Sequence, residues 1–319
     1  VRIGLVLAMM ALCVANAFAG GSSENAAGAG RTYTVGVCQL VQHNALDAAT
    51  KGFEDALKDK LGDSVKIVEQ NASGDVATCI TIINGFVSSN VDLIMANATP
   101  ALQAAQAATG DIPILGTSVT DYGTALGMDN FTGTTGVNIS GTSDLAPLDQ
   151  QAKMIMELFP NAKKVGMLYC SAEANSVFQV NIVKKSLEEN GIECQDFAFS
   201  DSNDVSAVTA NACSWSDVIY IPTDNTAASC TETIRNVVEP AKVPVVAGEE
   251  GICKGCGVAT LSISYYDLGY RTGEMAAEIL DGADVSTMPI QYAPKFTKEY
   301  NAELCSILGV VVPEDYVAI

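Results

Sequence analysis

Two stretches decide the fold: VDLIMANATPALQ at residues 91–103 and SDVIYIPTDNTAA at residues 216–228. Each passes an aspartate, runs through a short apolar segment, breaks into Asn, Thr or Asp, and then resumes with helix-forming residues. An apolar run of this length bounded by turn residues reads as a buried strand. Ser, Thr, Asp or Asn ahead of a periodic segment reads as a helix cap. Thr99-Pro100 makes the sharpest such signal, with Thr99 expected as N-cap and Pro100 at the first helical position, where a missing N–H costs nothing.

Working outward, the same order recurs on both sides. TYTVGVCQL (32–40) and the helix pattern ALDAATKGFEDALKDKLG (45–62) match KKVGMLYC (163–170) and NSVFQVNIVKKSLEENG (175–191). DIPILGTSVTD (111–121) likewise matches KVPVVAGEEG (242–251). Repetition of strand-loop-helix units in one order predicts two similar α/β lobes with parallel sheets. In open sheets of this kind, ligands bind beyond the carboxyl ends of the strands. The polar clusters fall at those ends: 39–44, 97–99, 117–121, 171–176, 223–226 and 249–250. They predict a cleft between two lobes.

Composition narrows what the cleft serves. The 319 residues carry 17 Lys+Arg against 37 Asp+Glu, a net charge of −20, which repels nucleic acid and anionic membrane surfaces. The opening VRIGLVLAMMALCVANAFAGGSS has a cation, an apolar run and Ala17-Phe18-Ala19, so residues 1–19 read as an export signal and 20–32 as a flexible tether. The protein is expected outside the cytoplasm, in the periplasm or at the cell surface. Cys13 follows Met10-Ala11-Leu12, a poor setting for lipidation, which leaves both a lipid-anchored and a free form open.

Nine cysteines remain after residue 19, an odd number, so at least one is unpaired within the monomer. So many thiols in an exported chain point to a reducing habitat. Cys253 and Cys256 in ICKGCG lead into an expected strand, and we read them as a solvent-exposed hairpin or disulfide loop in preference to a redox pair.

No acidic residue lies between Ile94 and Gly110, so the helix start at Thr99 is free for an external anion, whereas Asp224 and Glu249-Glu250 make the facing lobe rich in carboxylates. That asymmetry suits a zwitterion, an amino acid. Asp224 and Glu250, with Glu173, are expected to hold its ammonium, and Thr99, Ser118 and Thr120 its carboxylate. Gln39, Asn175 and Asn225 are expected to bond its edges. His43, Asn97 and Ser176 complete the expected lining, and Tyr122 is the one aromatic at a predicted strand end. No catalytic residue, metal ligand set or cofactor is expected: the chain has one histidine and no nucleophile–base pair.

VGVCQLVQHNALDAATKGFEDAL, LIMANATPALQAA, EANSVFQV, YIPTDNTAAS and AGEEGICKGCGVATLSISYYDLGYRTGEMAAEIL resemble the substrate-binding proteins of ABC importers in the group serving tryptophan and tyrosine uptake. The likeness runs from Thr32 to the end. It implies a type I periplasmic-binding-protein fold, two Rossmann-like lobes joined by a three-segment hinge. Residues 33–143 with 265–291 would form the first lobe and 144–264 with 292–319 the second, with crossings near 140–146, 262–266 and 291–294. It further implies a monomer that closes like a clamshell on an aromatic amino acid and docks on an ABC permease with its ATPase. A ligand sensor with the same capture chemistry, or a binder of another solute such as a sugar, is the rival reading.

Overall fold

The computed structural model describes residues 31–319, so the expected export signal and nearly all of the tether lie outside the described residues. The first lobe is laid down as β1 (Tyr33–Gln39), α1 (Asn44–Leu61), β2 (Val65–Asn71), α2 (Val76–Ser88), β3 (Leu93–Asn97), α3 (Thr99–Ala108), β4 (Ile114–Val119), α4 (Tyr122–Leu126) and β5 (Ile139–Ser143). The second follows with α5 (Leu148–Leu158), β6 (Lys164–Cys170), α6 (Ala174–Glu189), β7 (Glu193–Phe199), α7 (Val205–Trp215), β8 (Val218–Ile221), α8 (Asn225–Ser229), α9 (Thr231–Ala241), β9 (Val245–Ala247), α10 (Glu250–Cys256) and β10 (Ala259–Ser262). The chain then returns to the first lobe for α11 (Tyr265–Leu280) and β11 (Gln291–Tyr292). It ends in the second with β12 (Thr297–Tyr300), α12 (Ala302–Leu308) and β13 (Val317–Ala318).

The repeat seen in the sequence is a repeat of topology. Strand order is β2-β1-β3-β4-β5 in one sheet and β7-β6-β8-β9-β10 in the other, all parallel; β11 extends the first sheet, and β12 joins the second antiparallel to β10. Both orders reverse direction at the first strand of the lobe, between β1 and β3 and between β6 and β8, which is where such sheets open a crevice. Central strands are buried on both faces: every residue of β3, β4, β8 and β10 is buried. That is why they read as unbroken apolar runs and not as alternation.

The return helix α11 is fixed by close approach. Gly269 and Gly273 lie against the backbone of Ala49 and Phe53 on α1, and a methyl at Gly269 would run into the Ala49 carbonyl. Gly269→Ala is therefore expected to destabilise the protein by about 2 kcal/mol or more, because two packed helices must separate to admit it. A thermal melt checks this, and a variant melting with the wild type would show that the helices slide freely.

Two local expectations are corrected. Residues 253–256 form no hairpin: they belong to α10, whose first turn is capped by the Glu249 carboxylate accepting from the backbone N–H groups of Gly251 and Ile252. Cys253 and Cys256 are buried free thiols on that helix, and all nine described cysteines are unpaired. Thr99 is not the cap of α3 either. Ala98 holds the cap position with φ 93°, and the Thr99 hydroxyl is buried with no hydrogen-bond partner.

Candidate functional site

The loops beyond β1, β4, β6, β8 and β9 meet the crossing segments in an enclosed cavity. It is lined by His43, Ala45, Leu46, Ser118, Asp144, Asn175, Thr223, Asp224, Asn225, Ala228, Glu249 and Tyr265. Its walls have met, leaving about 10 Å³, room for a single water. Two hydrogen bonds cross from lobe to lobe: His43 Nε2 to Asn225 Oδ1 at 3.3 Å, and Gln179 Nε2 donating to Thr120 Oγ1 at 3.4 Å. A wider depression of about 780 Å³ lies on the first lobe beside Asp121, Phe131 and Tyr292. It is open to solvent, and none of its lining side chains holds a buried polar atom lacking a partner.

Buried acids dominate the enclosed site. Asp144, Glu173, Asp224 and Glu249 are each under 5% exposed, and no lysine or arginine is among the described lining residues. Burial pushes the Asp144 carboxyl up. Burial pushes Glu249 to about 7, against the pull of its two amide partners. Asp224 is raised by burial and then by the charge of Glu173.

Three of these acids are engaged by the protein. Asp224 caps α8 through Ala227 N–H at 2.7 Å and accepts from Cys170 N–H at 2.6 Å. Glu249 caps α10. Glu173 accepts from Asn225 N–H (3.0 Å), Asn225 Nδ2 (2.6 Å), Thr226 N–H (2.9 Å), Thr226 Oγ1 (2.8 Å) and Asn175 Nδ2 (3.2 Å). Asp144 differs. Its Oδ2 takes the Tyr265 hydroxyl at 2.9 Å, joining two of the crossing segments, and the Thr120 hydroxyl also lies against the carboxylate, whose Oδ1 is buried with no close hydrogen-bond partner.

Other polar atoms lining the same space are orphaned, His43 Nδ1, Asn175 Oδ1 and Ser118 Oγ, and so are Thr99 Oγ1 and Asn97 Oδ1 elsewhere in the first lobe. Buried polar groups are normally paired, so a group of such exceptions on one cavity makes it the candidate ligand site. Ser118 is also held at φ 54° and Ala98 at φ 93°, left-handed backbone of the kind found at ligand clamps.

Of the residues expected from sequence, the structure brings His43, Ser118, Asn175, Asp224 and Asn225 to the cavity wall. Thr120, Glu173 and Ser176 stand close behind: Thr120 lies against Asp144, Glu173 bonds Asn175 and Asn225, and Ser176 lies against Asn175, whereas Thr99 is buried off the wall. Gln39 and Asn97 serve the first lobe's interior instead, bonding Asp47, Thr50 and the Leu46 carbonyl. Glu250 is turned outward onto Lys254, beside a separate depression. Tyr122 is buried in the core, its hydroxyl donating to the Thr142 carbonyl at 3.1 Å.

Two further lining residues, the aromatic Tyr265 and the buried acid Asp144, were not anticipated. Both sit at carboxyl ends of strands, β10 and β5, so the strand-end rule reaches them when it is applied to the crossings as well.

Residues 34–318 match the family model of ABC transporter substrate binding proteins. The chain belongs to this family. Its members work outside the cytoplasm, and no helix among the described residues is long and apolar enough to cross a membrane.

The chain is similar to the tyrosine-binding protein of Clostridioides difficile strain R20291, 38% identical over 290 residues, covering 90% of this chain and 84% of that one. It overlays a Streptococcus pneumonia ABC domain in complex with L-Trp at TM-score 0.85 and 32% identity, covering 89% and 96% of the two chains. The ligand-free, open structure of a Clostridium difficile substrate binding protein with adhesive properties is 36% identical, covering 90% and 99%, yet overlays at only 0.68. This substrate-binding protein thus overlays the L-Trp complex more closely than the open form, despite lower identity. A leucine binding protein from Thermotoga maritima, at 15% identity and TM-score 0.59, shares the fold.

Proposed function

We propose that this substrate-binding protein captures an aromatic amino acid in the enclosed cleft and delivers it to an ABC permease. The observation that carries the reading is Asp144: a buried carboxylate met only by the Tyr265 and Thr120 hydroxyls, with no cation among the described lining residues. A buried charge needs a partner, and a ligand ammonium is the missing one. Asn175 Oδ1 offers a second acceptor for it. The ligand carboxylate falls to Ser118, with Thr120 flanking, and the ring lies against Tyr265 and Leu46. The tyrosine and tryptophan named with two relatives fit this arrangement of a zwitterion site with an aromatic wall.

A space of about 10 Å³ admits no amino acid, so the lobes part about residues 144–147, 263–264 and 293–296 to take one in and close around it less far than they do here. Closure then excludes water from the ion pair and strengthens it. Calorimetric titration of refolded, ligand-stripped protein with tyrosine, tryptophan, phenylalanine, leucine and a pentose tests the proposal. Submicromolar binding of an aromatic amino acid is expected, and binding of the pentose alone would overturn it.

A further inference from the structure

His43 is held on one ring nitrogen and bare on the other. Its Nε2 meets Asn225 Oδ1 at 3.3 Å across the cleft. Asn225 has one orientation available, because its Nδ2 donates to Glu173 Oε2 at 2.6 Å and a carboxylate oxygen accepts. Asn225 therefore presents its oxygen to His43, which places the imidazole proton on Nε2. Burial lowers the His43 pKa, against the opposing pull of Asn225, Glu173 and Asp47, so the ring is neutral and Nδ1 carries a lone pair. The residue keeps some solvent contact, but Nδ1 itself is fully buried and accepts from nothing.

We infer that His43 Nδ1 is the specificity-determining acceptor for a hydrogen-bond donor on the ligand's ring, so that the site favours aromatic amino acids bearing O–H or N–H over phenylalanine. The inference rests on the reading of the cleft as an amino-acid site. Asp144, on a crossing segment, and Asn175 already provide acceptors for the ammonium. His43 stands instead in the loop between β1 and α1, where it also borders an outer depression with Gln42, Thr231 and Lys254. Tyrosine's hydroxyl and tryptophan's indole N–H both satisfy Nδ1. Phenylalanine leaves it desolvated and unpaired, and a site built to bond a polar group rejects the analogue that lacks it.

The experiment is calorimetric titration of tyrosine, tryptophan and phenylalanine into the wild-type protein, His43→Leu and His43→Asn. Tyrosine and tryptophan are expected to bind the wild type about 10- to 100-fold more tightly than phenylalanine, the range set by one unpaired buried acceptor. In His43→Leu that ratio collapses, and in His43→Asn, whose Oδ1 takes the place of Nδ1, part of it returns. Equal wild-type affinity for phenylalanine overturns the inference while leaving the amino-acid site intact. So does a His43→Leu variant that weakens all three ligands by one factor, which would assign His43 to the ammonium or to lobe closure. Failure of all three to bind the wild type overturns the amino-acid reading itself.

Discussion

Asp144→Asn is expected to weaken binding of tyrosine or tryptophan by about 100-fold or more, because it removes the charge from one side of a fully desolvated ion pair. The substitution preserves shape and leaves the Tyr265 hydroxyl a partner. The ligand-free protein should be no less stable, since the wild-type carboxylate is buried without a counter-charge. Wild-type affinity in this variant would remove Asp144 from the site.

The same logic fixes the sign of a pH dependence. Asp144, Asp224 and Glu249 are all raised in the folded state. A raised carboxyl keeps its proton when folded over a range where the unfolded chain has lost it, so stability falls as pH rises through that range. For Glu249 the window runs from the ordinary value of 4.5 to about 7. Melting of the ligand-free protein is therefore expected to be highest near pH 5 and to decline toward pH 8. An ammonium ligand favours ionised Asp144, so the rise in melting temperature on adding tyrosine should be larger at pH 8 than at pH 5. Asp144→Asn should flatten that difference.

Glu173→Gln is expected to lower the melting temperature by about 5–10 °C, corresponding to about 2–4 kcal/mol. Five donors converge on the two carboxylate oxygens, and a carboxamide must turn an N–H₂ toward some of them. Relief of the repulsion with Asp224 offsets part of the loss, but one lightened charge does not compensate for donors left facing a donor. Because Glu173 also orients Asn225, and Asn225 orients His43, discrimination between tyrosine and phenylalanine should fall as well. Circular-dichroism melting checks the first effect; a variant melting within about a degree of the wild type would show that the network is dispensable.

The alternation of strands and helices was legible because burial on both faces leaves apolar runs, and the polar strand ends were legible because parallel sheets place their loops at one edge. Roles within the cleft were not. Asp224 is expected as ammonium partner, and its carboxylate both lines the cavity and caps α8; local sequence cannot separate the two uses because both call for a carboxylate oxygen ahead of a helix. Between Glu249 and Glu250 the phase of a single short helix decides: one caps it and the other turns out to Lys254. Tyr122 follows an irregularity in the register of β4 between Gly116 and Val119, which no residue pattern announces, and it turns under the sheet. Asp144 and Tyr265 are brought together by the chain's repeated passage between lobes, a contact across 121 residues to which propensity is blind.

The buried thiols give each half of the molecule its own clock. Cys38 and Cys79 lie in the core of the first lobe, and Cys253, Cys256 and Cys305 in that of the second. None can meet an alkylating reagent until its surroundings open, so the rate at which each gains mass reads the opening of its own lobe. Lobes that unfold independently will label at two rates. A ligand held between them brings the two rates together, and the degree of that convergence measures how much of its binding free energy the two lobes share.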